Sequence, residues 1–149
     1  MKNMDVSAIK DGSVIDHIDS KSTLKVAEIL NIQQEEQVVL VGMNLISKCL
    51  GKKGIIKIGG KSIAQKEVNK IALIAPNASV NIIKDYEVVQ KFKVKVPDVL
   101  EGIVKCFNPN CVSNHYAVHA KQHVINKNPI KLKCHYCERI MNAKDIILI

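Results

Sequence analysis

The sequence predicts an α+β chain in two parts: a ferredoxin-like α/β sandwich over residues 1–97, then a small β-rich unit over 98–149. Three observations carry this. Strand and helix signals alternate as β-α-β-β-α-β in the first part. Pro97 and the polar residues after it read as a hinge. Four cysteines fall in the last third among short β-type runs with no helical stripe.

The elements follow in order. SVIDHID (13–19) sets Val14, Asp16 and Ile18 against Ile15 and His17, the period of a strand. STLKVAEILNI (22–32) reads as a helix with Ser22 as N-cap. EQVVLVGMNL (36–45) reads as a buried strand, residues 45–53 as a loop bearing glycine and lysine, and IIKI (55–58) as the next strand. A second helix starts at Ser62, with Ser62 and Gln65 as a capping box. Its stripe is Ala64, Val68, Ile71, Ala72 and Ala75, and Pro76 ends it. SVNIIKD (79–85) and EVVQKFKVKV (87–96) are two more strands. The latter places Phe92, Val94 and Val96 on one face and Lys91, Lys93 and Lys95 on the other. In the second part, KLKC and DIILI are β-type runs.

Composition narrows the function classes. An apolar share of 47% excludes a disordered chain. No apolar run is long enough for a membrane span, and MKNMDVSAIKDG lacks the apolar core of a secretory signal, so a cytoplasmic protein is expected. The net charge of +8 suits a polyanionic partner or a solvated lysine-rich surface. Only 3% of residues are aromatic, which counts against base-stacking on single strands. No nucleophile–base pair, acid pair or HExxH motif is visible, so no enzyme activity is expected.

CFNPNC (106–111) and CHYC (134–137) place Cys106, Cys111, Cys134 and Cys137 in two pairs separated by 22 residues. Paired knuckles closed by a loop are what a tetrahedral four-cysteine zinc site requires. A unit of about 50 residues buries little core, so a structural Zn2+, one per chain, would substitute for it. Four thiolates leave no open position for catalysis. A redox dithiol in CHYC leaves the first pair unexplained. His115, His119 and His123 suit one face of a helix or an alternating strand, and are read as surface or partner contacts. His135 reads as a spacer within its knuckle, and Cys49 as a loop thiol. The charge and the four-cysteine pattern together leave a zinc-ribbon nucleic-acid-binding protein as the alternative. Against it, Arg139 is the one arginine, the usual reader of bases.

GIIKIGGKS (54–62) ends like a phosphate-binding loop, but the first glycine of that motif belongs at position 55, which is Ile55. The run Ile55, Ile56 and Ile58 favours a strand instead.

With these parts in place, AIKDGSVIDHI, GMNL, KKGIIKI, LIAPNASVNIIKDYEVVQK, CFNPNC and KLKCHYC together resemble the regulatory chains of aspartate carbamoyltransferase, from about residue 6 to the C-terminus. The resemblance implies a non-catalytic subunit of pyrimidine biosynthesis. Its zinc domain would contact the catalytic chain, and its regulatory-chain homodimers would join a dodecamer of two catalytic trimers and three regulatory dimers. CTP and ATP would be effectors shifting a T–R equilibrium, with no nucleic acid and no membrane as partner. It also implies a nucleotide site. Ile9 and Tyr86 would flank the base, and backbone near Ile9, Tyr86 and Val88 would read its edge. Asp16 would accept from the ribose, and His17 and Lys91 would face phosphate. Lys57 would reach ribose and base, with Val14, Lys53 and Asn81 on neighbouring segments. The chain departs from the family at Ile46, where a proline is frequent, at Lys52, an arginine, and at Gly54 and Gly59, acidic residues.

Overall fold

The computed structural model describes residues 9–149; residues 1–8, the start of the expected first part, lie outside the described residues. The chain divides into two compact units between Lys95 and Val96.

The first unit holds β1 (Gly12–Asp19), α1 (Thr23–Ile29), β2 (Val39–Ser47), β3 (Gly51–Gly59), α2 (Gln65–Ile74), β4 (Ser79–Lys84) and β5 (Glu87–Lys93). Its sheet runs β2-β3-β1-β4-β5, antiparallel at every junction. That is the split β-α-β arrangement with a fifth strand added at one edge. One sheet face carries the core. Ile15 pairs with Ile56 on one side and Val80 on the other, and all three are fully buried with Ile58, Val26, Leu30 and Ile71. α1 supplies Val26, its C-cap is Leu30, and α2 supplies Ile71, so the helices cover this face.

Several local expectations give way to tertiary structure. The strict alternation in β1 fails because the ladder with β3 slips between Ile15 and Ile18. A bulge there, with His17 at φ +55°, turns Ile18 into the core and leaves Asp16 and His17 together on the other face. Ser22 stands at the N-cap of α1 as expected, but at the end of a 3-10 turn and with no side-chain cap bond; Thr23 Oγ1 instead donates to the Ser20 carbonyl at 2.8 Å. α2 starts later than Ser62. Ala64 occupies the N-cap, and its N–H donates to Glu67 Oε1 at 3.1 Å. The strand 36–45 has a largely exposed edge position rather than a buried one, with Val38, Val41 and Met43 open. The glycine- and lysine-bearing loop shrinks to residues 48–50, because Ser47 already pairs with Gly51.

Lys61, the lysine of the phosphate-loop look-alike, is structural. Its Nζ donates to the Leu30 carbonyl at 3.1 Å and pairs with Glu67 at 3.2 Å and Glu35 at 3.5 Å. It ties the end of α1 to the start of α2. Gly54 has a packing reason: a Cβ there would overlap the Thr23 hydroxyl at the start of α1.

The second unit has β6 (Val99–Glu101), β7 (Val104–Lys105), β8 (Lys121–Lys127), β9 (Ile130–Cys134), β10 (Ile140–Asn142) and β11 (Ile147–Leu148). One sheet runs β10-β9-β8-β6, and β11 pairs with β7. Leu100, Val104, Leu132 and Met141 are fully buried. No helix among the described residues is long and apolar enough to cross a membrane.

Candidate functional site

The sheet face away from the helices is built by register. Lys57 stands opposite Val14, Val14 opposite Asn81, and Asn81 opposite Lys91. Residues opposed across a ladder share a face, so four residues from four strands form one transverse row. Asn81 Oδ1 is buried within it and has no hydrogen-bond partner among the described residues. A buried acceptor left unpaired is costly, and a ligand donor would satisfy it.

One step along β1, the bulge adds Asp16 and His17. The His17 N–H donates to Asp16 Oδ1 at 2.7 Å, and His17 Nδ1 lies 3.2 Å from Ser79 Oγ. Lys53 Nζ pairs with Asp16 Oδ1 at 2.9 Å, so this lysine is neutralised by its neighbour. In the other direction, Val88 opposes Ile83, which itself opposes Gly12. The Tyr86 N–H donates to the Lys10 carbonyl at 2.9 Å, bringing Tyr86 beside the residue that follows Ile9. Tyr86 and Val88 are exposed and Ile9 half-buried. Ile9 lines a hollow with Leu40 and Gly59. The ten residues thus lie along one face: Ile9, Tyr86 and Val88 at one end, Asp16, His17 and Lys53 at the other.

At that second end is a cavity of ≈ 430 Å³ lined by His17, Cys49, Ser79, Lys91, Phe92 and Lys93 among others, with no carboxylate in its wall. Ser79 and Lys93 carry no motif, and only the strand register places them here.

In the second unit, the four cysteine sulfurs all lie within 4.8 Å of one another. Cys106 Sγ is 3.6 Å from Cys137 Sγ, and Cys111 Sγ is 3.7 Å from Cys134 Sγ. A disulfide would hold its sulfurs about 2.05 Å apart. A tetrahedral ion with metal–sulfur bonds near 2.3 Å spaces its ligands about 3.8 Å apart. The quartet therefore fits a metal ion and not two disulfides. Burial pushes the Cys106 and Cys134 thiols up. Burial also raises Cys137, but the Arg139 backbone, the Asn108 side chain and the neighbouring cysteines outweigh it and leave that thiol at about 7.

The knuckles are fixed by backbone bonds. The Cys111 N–H donates to the Asn108 carbonyl at 3.0 Å, and the Glu138 N–H to the Cys134 carbonyl at 3.0 Å. Asn114 Nδ2 donates to the carbonyls of Cys106 and Asn108 at 3.0 and 2.8 Å, clasping the first knuckle from outside its motif. The histidines do not form one face. His115 Nε2 contacts the Pro109 carbonyl at 2.6 Å, and the Tyr136 hydroxyl donates to the His119 carbonyl at 2.9 Å. His135 is more than a spacer, since its Nδ1 lies 2.9 Å from His123 Nε2.

Comparison with known proteins agrees with this division. The profile of the aspartate carbamoyltransferase regulatory chain allosteric domain matches residues 4–95, and that of the same chain's metal-binding domain matches 98–147. The chain is 54% identical over 149 residues to the aspartate carbamoyltransferase regulatory chain of Pyrococcus abyssi, covering 99% of this chain and 98% of the relative. It is 55% identical over 147 residues to that of Thermococcus sibiricus (99% and 97% covered). It is 45% identical over 146 residues to that of Bacteroides thetaiotaomicron (98% and 95% covered). An allosteric sheet unit, a four-cysteine unit and full-length identity of this order place the chain in the family of aspartate carbamoyltransferase regulatory chains, non-catalytic subunits of that enzyme.

Proposed function

We propose that nucleoside triphosphates, CTP and ATP among them, bind the open sheet face of the first unit, and that a structural Zn2+ holds the four cysteines of the second. The observation that carries the nucleotide reading is the row Lys57–Val14–Asn81–Lys91 with its unpaired Asn81 Oδ1. Asn81 would accept from a ligand N–H or O–H. Ile9, Tyr86 and Val88 offer apolar contact to a base at one end. His17 and Lys91 meet phosphate at the other. Asp16, already paired with Lys53, accepts from ribose hydroxyls. A protonated His17 would strengthen phosphate binding and a neutral one weaken it. Cys106, Cys111, Cys134 and Cys137 complete the zinc's coordination, so its role is to hold the unit's fold.

The family's name points to the aspartate carbamoyltransferase catalytic chain as partner, met through the zinc unit. Regulatory homodimers would join two catalytic trimers in a cytoplasmic dodecamer. Nucleotide in the first unit then biases how the second seats on the catalytic chain. Couplings of this kind are about 1–3 kcal/mol, a several-fold effect on activity.

Calorimetric titration of the zinc-loaded chain with CTP, ATP and a short DNA duplex tests the site. Saturable CTP binding, weakened about tenfold by Lys91→Ala or His17→Ala, is expected. DNA binding with no nucleotide binding would replace this reading with the nucleic-acid alternative.

A further inference from the structure

Two histidines of the second unit meet outside the thiol quartet. His123 Nε2 lies 2.9 Å from His135 Nδ1, with ring centroids 5.1 Å apart and ring planes tilted by 39°. Backbone structure sets both. His123 stands in β8, between Val99 and Lys133 of the neighbouring strands. His135 directly follows β9, and its N–H donates to the Lys121 carbonyl at 2.9 Å, which holds it against β8. The Tyr136 ring packs edge-on against His135 with centroids 5.2 Å apart, and the Tyr136 hydroxyl donates to the His119 carbonyl at 2.9 Å. The His135 ring is therefore braced.

The pair is distinct from the cysteines. Cys134 opposes Gln122 and both are buried, so that side chain enters the core. His123 and His135 lie on the opposite, partly exposed side of the same sheet. His123 Nδ1 and His135 Nε2 have no hydrogen-bond partner among the described residues, so these outer nitrogens are free to carry the ring protons. That pair of tautomers turns two lone pairs toward each other. Without an ion, one ring donates to the other. With an ion about 2.05 Å from each nitrogen, the 2.9 Å separation subtends about 90°, whereas tetrahedral ligands would stand about 3.3 Å apart. Right-angle ligation by nitrogen belongs to nickel(II) and copper(II) rather than to zinc. Calcium and magnesium take oxygen ligands, which this pair does not offer. Among the described residues only the four cysteines gather three or more ligating groups, so water would fill the remaining positions at the histidines. On this face Lys121 is paired with Glu101 at 3.7 Å and Lys133 adds positive charge, so the ion is held by coordination and not by a negative field.

We propose that His123 and His135 form a second metal site in this unit, taking a divalent first-row ion of right-angle geometry, nickel(II) or copper(II), through two neutral imidazoles. Bound there, the ion ties β8 to the knuckle that holds His135.

Nickel(II) is the probe, because copper(II) would oxidise the thiols. It is titrated by calorimetry into the full zinc-loaded chain, and metal analysis after equilibrium dialysis counts both metals. One nickel per chain is expected to bind with zinc retained. His123→Gln and His135→Gln should each weaken nickel at least tenfold, and the double variant no further, because both side chains hold one ion. His135 is exposed, so its variant tests the site even where His123→Gln fails to fold. His115→Gln, whose ring contacts the Pro109 carbonyl instead, should bind nickel as the natural chain does. Nickel should raise the unfolding temperature of the natural chain and not that of His135→Gln. Nickel that enters only as zinc leaves, or that binds the natural chain and the double variant alike, overturns the proposal. Absence of bound nickel overturns it too, and leaves the four-cysteine site and the nucleotide reading standing.

Discussion

The two units of this chain reach stability by different means. In the first, Ile15, Ile18, Leu30, Ile56 and Ile71 are fully buried between one sheet and two helices. That burial is a hydrophobic core of the ordinary kind, and it leaves the far sheet face free for polar groups. In the second, Leu100, Val104, Leu132 and Met141 form a smaller set, and the remaining buried cluster is Cys106, Cys111 and Cys134 with Cys137 beside it. Three buried thiols whose sulfurs gather with a fourth within 4.8 Å of one another match the ligand set of a metal ion. The difference teaches that an aliphatic core can serve as a platform for ligands, whereas the smaller unit uses its functional groups as its core.

The comparison breaks most sharply on metal removal. Stripping the metal, or Cys134→Ser, should unfold the second unit and leave the first folded, because a site of this type contributes roughly 10–16 kcal/mol of apparent binding free energy. Amide hydrogen exchange reports the two units separately. Protection lost throughout the chain would contradict their independence, and protection kept in β8 and β9 would contradict the metal's role. The converse change is Ile56→Ala, which should cost the first unit about 2–5 kcal/mol while metal stoichiometry stays the same; thermal unfolding and metal analysis measure both.

A pH series sharpens the contrast further. Cys106 and Cys134 are raised above the ordinary value of 9.0, so at neutral pH each keeps a proton that an incoming metal must displace. Each displaced proton lowers apparent metal affinity about tenfold per unit of acidification, so these two thiols alone contribute roughly a hundredfold per unit between about pH 8 and 6, a direction that a competing chelator can follow. For the metal-free unit the sign from these two thiols is opposite. Their folded pKa lies above the unfolded one, so their contribution to stability is present below pH 9.0 and is lost as pH rises beyond it.

Much of the fold was readable because its signals are local and redundant. The order of strands and helices follows from hydrophobic period, Pro76 stops α2, and the spacing of CFNPNC and CHYC announces a quartet of thiols. What escaped depends on contacts between distant segments. The bulge at Asp16 and His17 breaks the alternation of β1 without any glycine to mark it. β2 looks buried by composition, yet its edge position leaves Val41 and Met43 open. Lys61 resembles a phosphate ligand until Leu30, Glu35 and Glu67 are placed around it. Asn114 and His123 lie outside any motif, and only the fold brings them to the knuckles. Along the open face, sequence resemblance supplied the ten residues, while strand register supplied their arrangement and added Ser79 and Lys93.

The most direct test of the central claim, regulation from the first unit through a metal-held second unit, is to reconstitute the zinc-loaded chain with its catalytic partner. Activity is then measured with and without CTP, beside a metal-stripped preparation and Lys91→Ala. The metal-loaded complex should change activity several-fold with CTP, Lys91→Ala should blunt that response, and the metal-stripped chain should not assemble. A metal-stripped chain that assembles and responds to CTP, or a CTP response untouched by Lys91→Ala, would contradict it.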